Sequence, residues 1–229
     1  MEAMVCDPPE AGCVLFLPGL PGGGGFLHDR TAHASQGTIT GALWTRLESG
    51  QHCLTFDGVD DIVRCPDADC LDIVDNISIV AWVKRAGLGH RDFIVAKREG
   101  GAGYVAYQFE IANDPGHIDA LYFAYQDSQG NWEANVFGSG TVGLGWHQVA
   151  VTRTPAKIRC FIDGKPDPAE YAPSRSMEVK NSHQASVGAV SGLAYMAGSL
   201  ARVRVYNRAL AALEIQGLHQ RESRLFGVW

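Results

Sequence analysis

The chain has 229 residues, 46% hydrophobic and 19% charged, a globular balance that excludes a disordered or collagen-like chain. Its formal net charge is −6, and Lys and Arg gather no more densely than Lys84-Arg85 and Lys97-Arg98, so the basic footprint of a nucleic-acid binder is missing. The run Val14-Leu15-Phe16-Leu17 stops at Pro18, far short of the roughly 20 apolar residues that span a bilayer. A chain of this size can bury about 70% of its extended surface, enough for one substantial core.

The N-terminus, MEAMVCDPPE, has neither a basic nor an apolar segment and does not read as a secretory signal. Short runs rich in Val, Ile, Phe, Tyr and Trp follow: CVLFL, GTITGALW, HCLTF, DIVRC, ISIVAWVKR, RDFIVAK, YVAYQFEI, IDALYFAY, NWEANVF, WHQVAVTR, KIRCFID, HQASVGAV and SLARVRVY. Turn chemistry separates them, among it PGGGG, ESGQ, DGVD, PDADC, GLGH, NDPG, DSQGN and DGKPD, in which Gly and Asn supply positive φ and Pro and Asp start turns. Turns recur about every ten residues, the rhythm of a sandwich or barrel. Within runs the period is two. Ile77, Ile79, Ala81 and Val83 share one face, and Ser78, Val80, Trp82 and Lys84 share the other, which expects Trp82 buried under a partial cover. The two partly apolar faces of WHQVAVTR predict a central strand. One helix is expected, over 210–222, with Leu210, Leu213, Ile215 and Leu218 as its apolar stripe. No 20- to 50-residue period repeats, so solenoids and propellers are excluded. The organisation predicted is an extension at 1–12, a sandwich at 13–220 and a tail at 221–229.

Cysteines stand at 6, 13, 53, 65, 70 and 160, with no CxxC spacing to suggest zinc. Cys65 and Cys70 flank PDAD, and Cys6 and Cys13 flank PPEAG; each pair could close a short disulfide, and Cys6 could instead bond another chain. Cys160 alternates in phase with Ile158 and Ile162 and reads as a core thiol.

Several motifs in order resemble laminin-G-like domains of the concanavalin A-like lectin/glucanase superfamily. FDGVDDIV (56–63) is similar to the family's opening strand–turn–strand, ISIVAWVKR (77–85) to its strand with a central Trp, and FIVAKREGGAGYVAYQFEI (93–111) to its next hairpin. WHQVAVTR (146–153) and IRCFIDGK (158–165) resemble the paired strands that end in a DGK turn, and GSLARVRVYNRALAALEI (198–215) the closing strand and edge helix. Residues 15–44 resemble the N-terminal strand and its Gly-rich loop, so the likeness covers nearly the whole chain. It implies an all-β fold, a two-sheet antiparallel sandwich of the concanavalin A-like jelly-roll type with one short C-terminal helix. It does not fix a function, since such domains include glycan binders, adhesion modules, enzyme accessories and virus structural proteins.

Asp57, Asp60 and Asp61 cluster at one turn. The resemblance implies a rim Ca²⁺ held by Asp57 and Asp60, whereas a plain turn reading has Asp57 accepting bonds from turn amides. Ala201 stands where relatives often place an acidic residue, which removes one partner carboxylate. Glycosidases of the superfamily carry an E-x-D-x-x-E pattern; Glu110 with Asp114, and Glu133, do not make it, so no catalytic residue is assigned. No G-x-S-x-G elbow signals a nucleophilic serine, and His147 reads as structural. Trp44, Tyr125 and Trp132 are the candidate sugar-stacking aromatics. Phe226 and Trp229, in the terminal LFGVW, look built to dock on a partner. The function expected is therefore a non-catalytic structural or adhesive protein in an assembly or homo-oligomer, such as a virion surface, capsid decoration or tail-associated subunit. A glycan-binding module is the alternative and a glycoside hydrolase a third reading. The location expected is a virion surface or the extracellular space.

Overall fold

A computed structural model describes residues 10–19, 24–98 and 105–228. In chain order the strands are β1 (Cys13–Leu17), β2 (Phe26–Leu27), β3 (Gly37–Thr40), β4 (Leu43–Arg46), β5 (His52–Asp57), β6 (Ile62–Cys65), β7 (Ile77–Arg85), β8 (Asp92–Lys97) and β9 (Tyr107–Asp114). They continue as β10 (His117–Gln126), β11 (Trp132–Thr141), β12 (Trp146–Thr154), β13 (Lys157–Ile162), β14 (Lys165–Tyr171), β15 (Ala185–Val187), β16 (Ala189–Val190), β17 (Ala194–Tyr195) and β18 (Ala197–Tyr206). One helix, α1 (Ala212–Glu222), follows.

Two antiparallel sheets face each other. The first runs β14-β13-β12-β7-β18-β5-β4, with β1 also paired to β18. The second runs β11-β10-β9-β8-β15-β6-β3-β2. This is the sandwich that the strand rhythm and the resemblance predict, and β12 is the central strand its two apolar faces required. Ile77, Ile79, Ala81 and Val83 meet Phe109, Ile111, Leu121 and Phe123 of the second sheet in one core. The folded surface is 9945 Å², close to the roughly 10,000 Å² expected for one domain of this length.

GTITGALW reads as one run but forms two strands, one in each sheet. Gly41 divides them at φ +80°, where a Cβ would fall 1.9 Å from Asp61 Oδ1. Only a glycine lets the chain cross between sheets there. Outside the first sheet lies a second layer. Val80 and Tyr206 pack under Ile215 and Leu218 of α1. Of the four stripe residues read from the sequence, Leu210, Ile215 and Leu218 are buried and pack here, whereas Leu213 is 78% exposed. A bulge at Arg202, φ +50°, interrupts the pairing of β18 with β7. It turns both Arg202 and Arg204 toward Glu222, which sits 2.8 Å from Arg202 Nε and 2.5 Å from Arg204 Nη2. Trp82 is fully buried under this layer, as expected, and its Nε1 donates to Glu222 Oε2 at 2.7 Å.

Candidate functional site

The sequence candidates scatter. Tyr125 is fully buried in the core, and its hydroxyl donates to the Arg175 carbonyl at 2.8 Å. Strand period two is the reason: Tyr125 shares the inward phase with Phe123 and Leu121, so it is not open to a sugar, contrary to the expectation from sequence. Trp44 is half-buried on β4, packed against the core, with Nε1 donating to the Gly24 carbonyl at 3.2 Å. Trp132 keeps 40% of its surface exposed at the start of β11.

Cys65 and Cys70 are separate free thiols, not a bridge. Cys65 points into the core from β6, where burial pushes its thiol up to about 12, so the reactive thiolate scarcely forms. Cys70 lies in the 3-10 turn Asp69–Leu71 beyond it. Cys13 is also a free buried thiol, its Sγ–H donating to the Leu15 carbonyl; Cys6 lies outside the described residues. Phe226 is not a free docking element. It stacks on Trp82 at 4.2 Å between ring centroids and meets Trp146 in a tilted contact at 4.8 Å, closing the tail over the chain's own first sheet. Trp229 lies outside the described residues.

At the 57–61 turn, Asp57 Oδ1 accepts the Val59 and Asp60 amides, and Asp61 Oδ2 accepts the Asp57 amide. One oxygen from each of Asp57, Asp60 and Asp61 lies within 4.8 Å of the others. This all-oxygen set suits a hard cation such as Ca²⁺, which needs further oxygens to reach six to eight ligands. The residue paired with Asp57 is Ala197, while Ala201 packs beside Trp82 and Phe226, away from this turn.

A different constellation forms on the outer face of the second sheet. In YQFEI the odd phase, Tyr107, Phe109 and Ile111, goes to the core. The even phase, Gln108 and Glu110, therefore faces outward, beside Tyr122 on β10 and Ala134 on β11. The β16–β17 hairpin rests on Phe93 and Ala96 of β8 through Val190 and Ala194, and forms a wall on this face. The result is a groove of about 440 Å³ lined by Arg91, Arg98, Gln108, Tyr122, Trp132, Ala134 and Leu193. Arg98 Nη1 donates to Gln108 Oε1 at 2.6 Å, and its guanidinium lies 5.5 Å from the Trp132 ring centre. Arg91 Nη2 lies 3.1 Å from Glu110 Oε1 and 3.4 Å from Asp114 Oδ2. Glu110 is fully buried, and among the described residues neither of its oxygens accepts an aligned hydrogen bond. Burial pushes its carboxyl up to about 8, against the lowering effect of Arg91.

In the sequence Glu110 stands out only against a glycosidase pattern, and nothing local marks Arg91 or Arg98 as groove residues. The signal that could have found them is the polar phase of YQFEI, two polar residues on the outer side of an otherwise core strand. Glu133, the other carboxylate weighed, accepts the Ser174 amide and hydroxyl and serves that loop.

No curated protein sequence matches the chain. Among solved structures, domain 4 of an extracellular GH43 arabinanase from Geobacillus stearothermophilus, in complex with arabinotriose, is similar at TM-score 0.70 and 16% identity, covering 93% of this chain and all of that one. The binding domain of Paraclostridial Mosquitocidal Protein 1 is similar at TM-score 0.70 and 12% identity, covering 95% of this chain and 55% of that one. Trypanosoma rangeli sialidase is similar at TM-score 0.66 and 17% identity, covering 95% of this chain and 34% of the enzyme. The chain thus spans about half of the toxin domain and a third of the sialidase. At these identities the likeness is one of fold. A family model of laminin G type matches residues 57–216, a stretch that holds the Asp57 turn, the groove and the first turn of α1, and the chain belongs to the concanavalin A-like lectin/glucanases superfamily.

Proposed function

We propose that the protein is a non-catalytic carbohydrate-binding module whose ligand lies in the groove on the second sheet. The observation that carries this reading is Trp132, an exposed indole at the edge of a groove that also presents Tyr122, Gln108 and two guanidinium groups. Apolar ring faces with a few placed polar groups are the chemistry that holds and orients a small ligand. The arabinanase domain in complex with arabinotriose supports the reading by its fold. A glycosidase needs two carboxylates flanking the bond, acid and base or nucleophile. Here the two that meet the groove's arginine, Glu110 and Asp114, share Arg91 as a common counter-ion, an arrangement that supports binding over hydrolysis. The assembly role expected from the apolar C-terminus loses its main argument at Phe226, which is spent on Trp82 and Trp146. A glycan ligand puts the chain where glycans are displayed, outside the cell or on a virion surface.

A glycan array read with the wild-type protein and with Trp132→Ala tests the proposal. The wild type should retain a defined set of glycans, and the variant should lose them while keeping its melting temperature. Retention of the same set by the variant would move the site elsewhere.

A further inference from the structure

We propose that the groove selects sugars bearing a carboxylate, with Arg91 as the recognising cation and Glu110 as the internal competitor that must give Arg91 up; this rests on the carbohydrate reading above. Arg91 precedes β8, its side chain is one-third exposed, and it lines the groove together with Arg98, which follows β8. Two guanidinium groups reaching one small groove from opposite ends of a strand suit a planar anion, which a guanidinium binds through paired hydrogen bonds. Neutral sugars need no such charge.

Arg91 already has anionic company of two kinds. Asp114 is 41% exposed and meets it at 3.4 Å, a contact that solvent weakens. Glu110 is wholly buried beside it at 3.1 Å. A buried carboxylate whose one nearby donor is poorly aligned is a poor resting state for a charge. It can remain ionised against Arg91, or take a proton and leave Arg91 to a ligand. An incoming carboxylate near Arg91 repels an ionised Glu110 and so favours its protonated form. Anion binding and proton uptake by Glu110 are then one coupled event. The charged and titratable groups around Glu110 are Arg91 and Arg98 from the flanks of β8, Asp114 from β9, and Tyr122 from β10. His117 stacks farther out on Phe137. Burial holds the Tyr122 hydroxyl up to about 12, so it stays neutral throughout the range at issue. Burial likewise holds the Glu110 carboxyl at about 8, so the protonated, receptive form predominates below that pH. Ligand binding should therefore be strong in mild acid and weaken as pH rises through about 8.

The test is a glycan array holding uronic and other carboxylated sugars, their methyl esters and neutral oligosaccharides, read at about pH 6 and about pH 9. The proteins are wild type, Glu110→Gln, Arg91→Ala and Arg91→Lys, each checked by thermal melt. Carboxylated glycans should dominate the bound set, and methyl esterification should abolish their binding. Wild-type affinity should fall about tenfold from the lower to the higher pH, since only the protonated fraction binds. Glu110→Gln should bind with no pH dependence, Arg91→Ala should lose the carboxylated set, and Arg91→Lys should regain part of it. Binding confined to neutral glycans and lost in Trp132→Ala would overturn this proposal and leave the carbohydrate reading intact. Carboxylate binding that is unchanged in Arg91→Ala, or equal at both pH values in the wild type, would also overturn it. No glycan bound by any folded form would overturn both.

Discussion

Glu222 has two arginines and an indole N–H around one buried carboxylate. Burial by itself would raise its pKa, but the Arg204 and Arg202 charges outweigh burial and hold the carboxyl below its ordinary value. A carboxylate whose folded pKa is depressed contributes stability that is present above its unfolded value, ordinarily 4.5, and is lost as pH falls through the folded pKa. The arginines cannot discharge, so removing the Glu222 charge takes from two buried cations the carboxylate they share and leaves Arg204 the more distant Glu10 at 3.7 Å. Glu222→Gln should cost about 3–5 kcal/mol in a urea melt at neutral pH. It should also lose the Glu222 share of the wild type's acid-induced loss of stability. A melt equal to wild type would show that the pair of charges is solvated despite its burial.

At the scale of elements, the closing strand, the helix and the tail act as one cap. The bulge in β18 aims the two arginines, α1 delivers Glu222, and the tail lays Phe226 on Trp82. Phe226→Ala should therefore destabilise the protein by about 3 kcal/mol, measured by denaturant unfolding. A neutral effect accompanied by loss of self-association would restore the docking reading for this residue. The 57–61 turn is the other element with a test. Asp61 is held above its ordinary pKa by burial first and by the charges of Asp57 and Asp60 next, so a cation there would relieve both repulsions. Added Ca²⁺ should raise the melting temperature, chelator should reverse the rise, and Asp60→Asn should remove it. Superimposable melts with calcium and with chelator would leave the turn's hydrogen bonds as its whole purpose.

For the whole molecule, the sandwich separates two jobs between its two outer faces. The first sheet's outer face is covered by the helix and tail and is spent on stability. The second sheet's outer face keeps a groove bounded by Leu193 on one side and Trp132 on the other. The floor of the groove lies on β9 and β10, strands paired on both edges, which fix the positions of Gln108 and Tyr122. With Glu110 fully buried behind Arg91 and absent from the groove's lining, the chain alone should release no reducing sugar from any glycan that it binds. Turnover that disappears in Glu110→Gln would mean that the buried carboxyl serves as a general acid.

The sequence alone determined the class of fold, because period-two alternation and turn residues are local properties written into each run. It determined the burial of Trp82 and the core face of β7 for the same reason. It also indicated Trp132, whose position beside a turn left its ring with partial exposure. It did not determine which sheet each run joins: the split of GTITGALW at Gly41 depends on Asp61, a residue twenty positions away. Tyr125 and Trp132 looked equivalent across one turn, and only strand register sent the first inward and the second outward. The helix stripe misplaced Leu213, because the surface it packs on is set by β7 and β18 and not by the helix's own pattern. The groove was the least legible feature. Arg91, Arg98, Glu110 and Trp132 come from three strands or their flanks and are unremarkable in their local sequence. Their shared chemistry exists only once β8, β9, β10 and β11 lie side by side and expel water from one carboxyl.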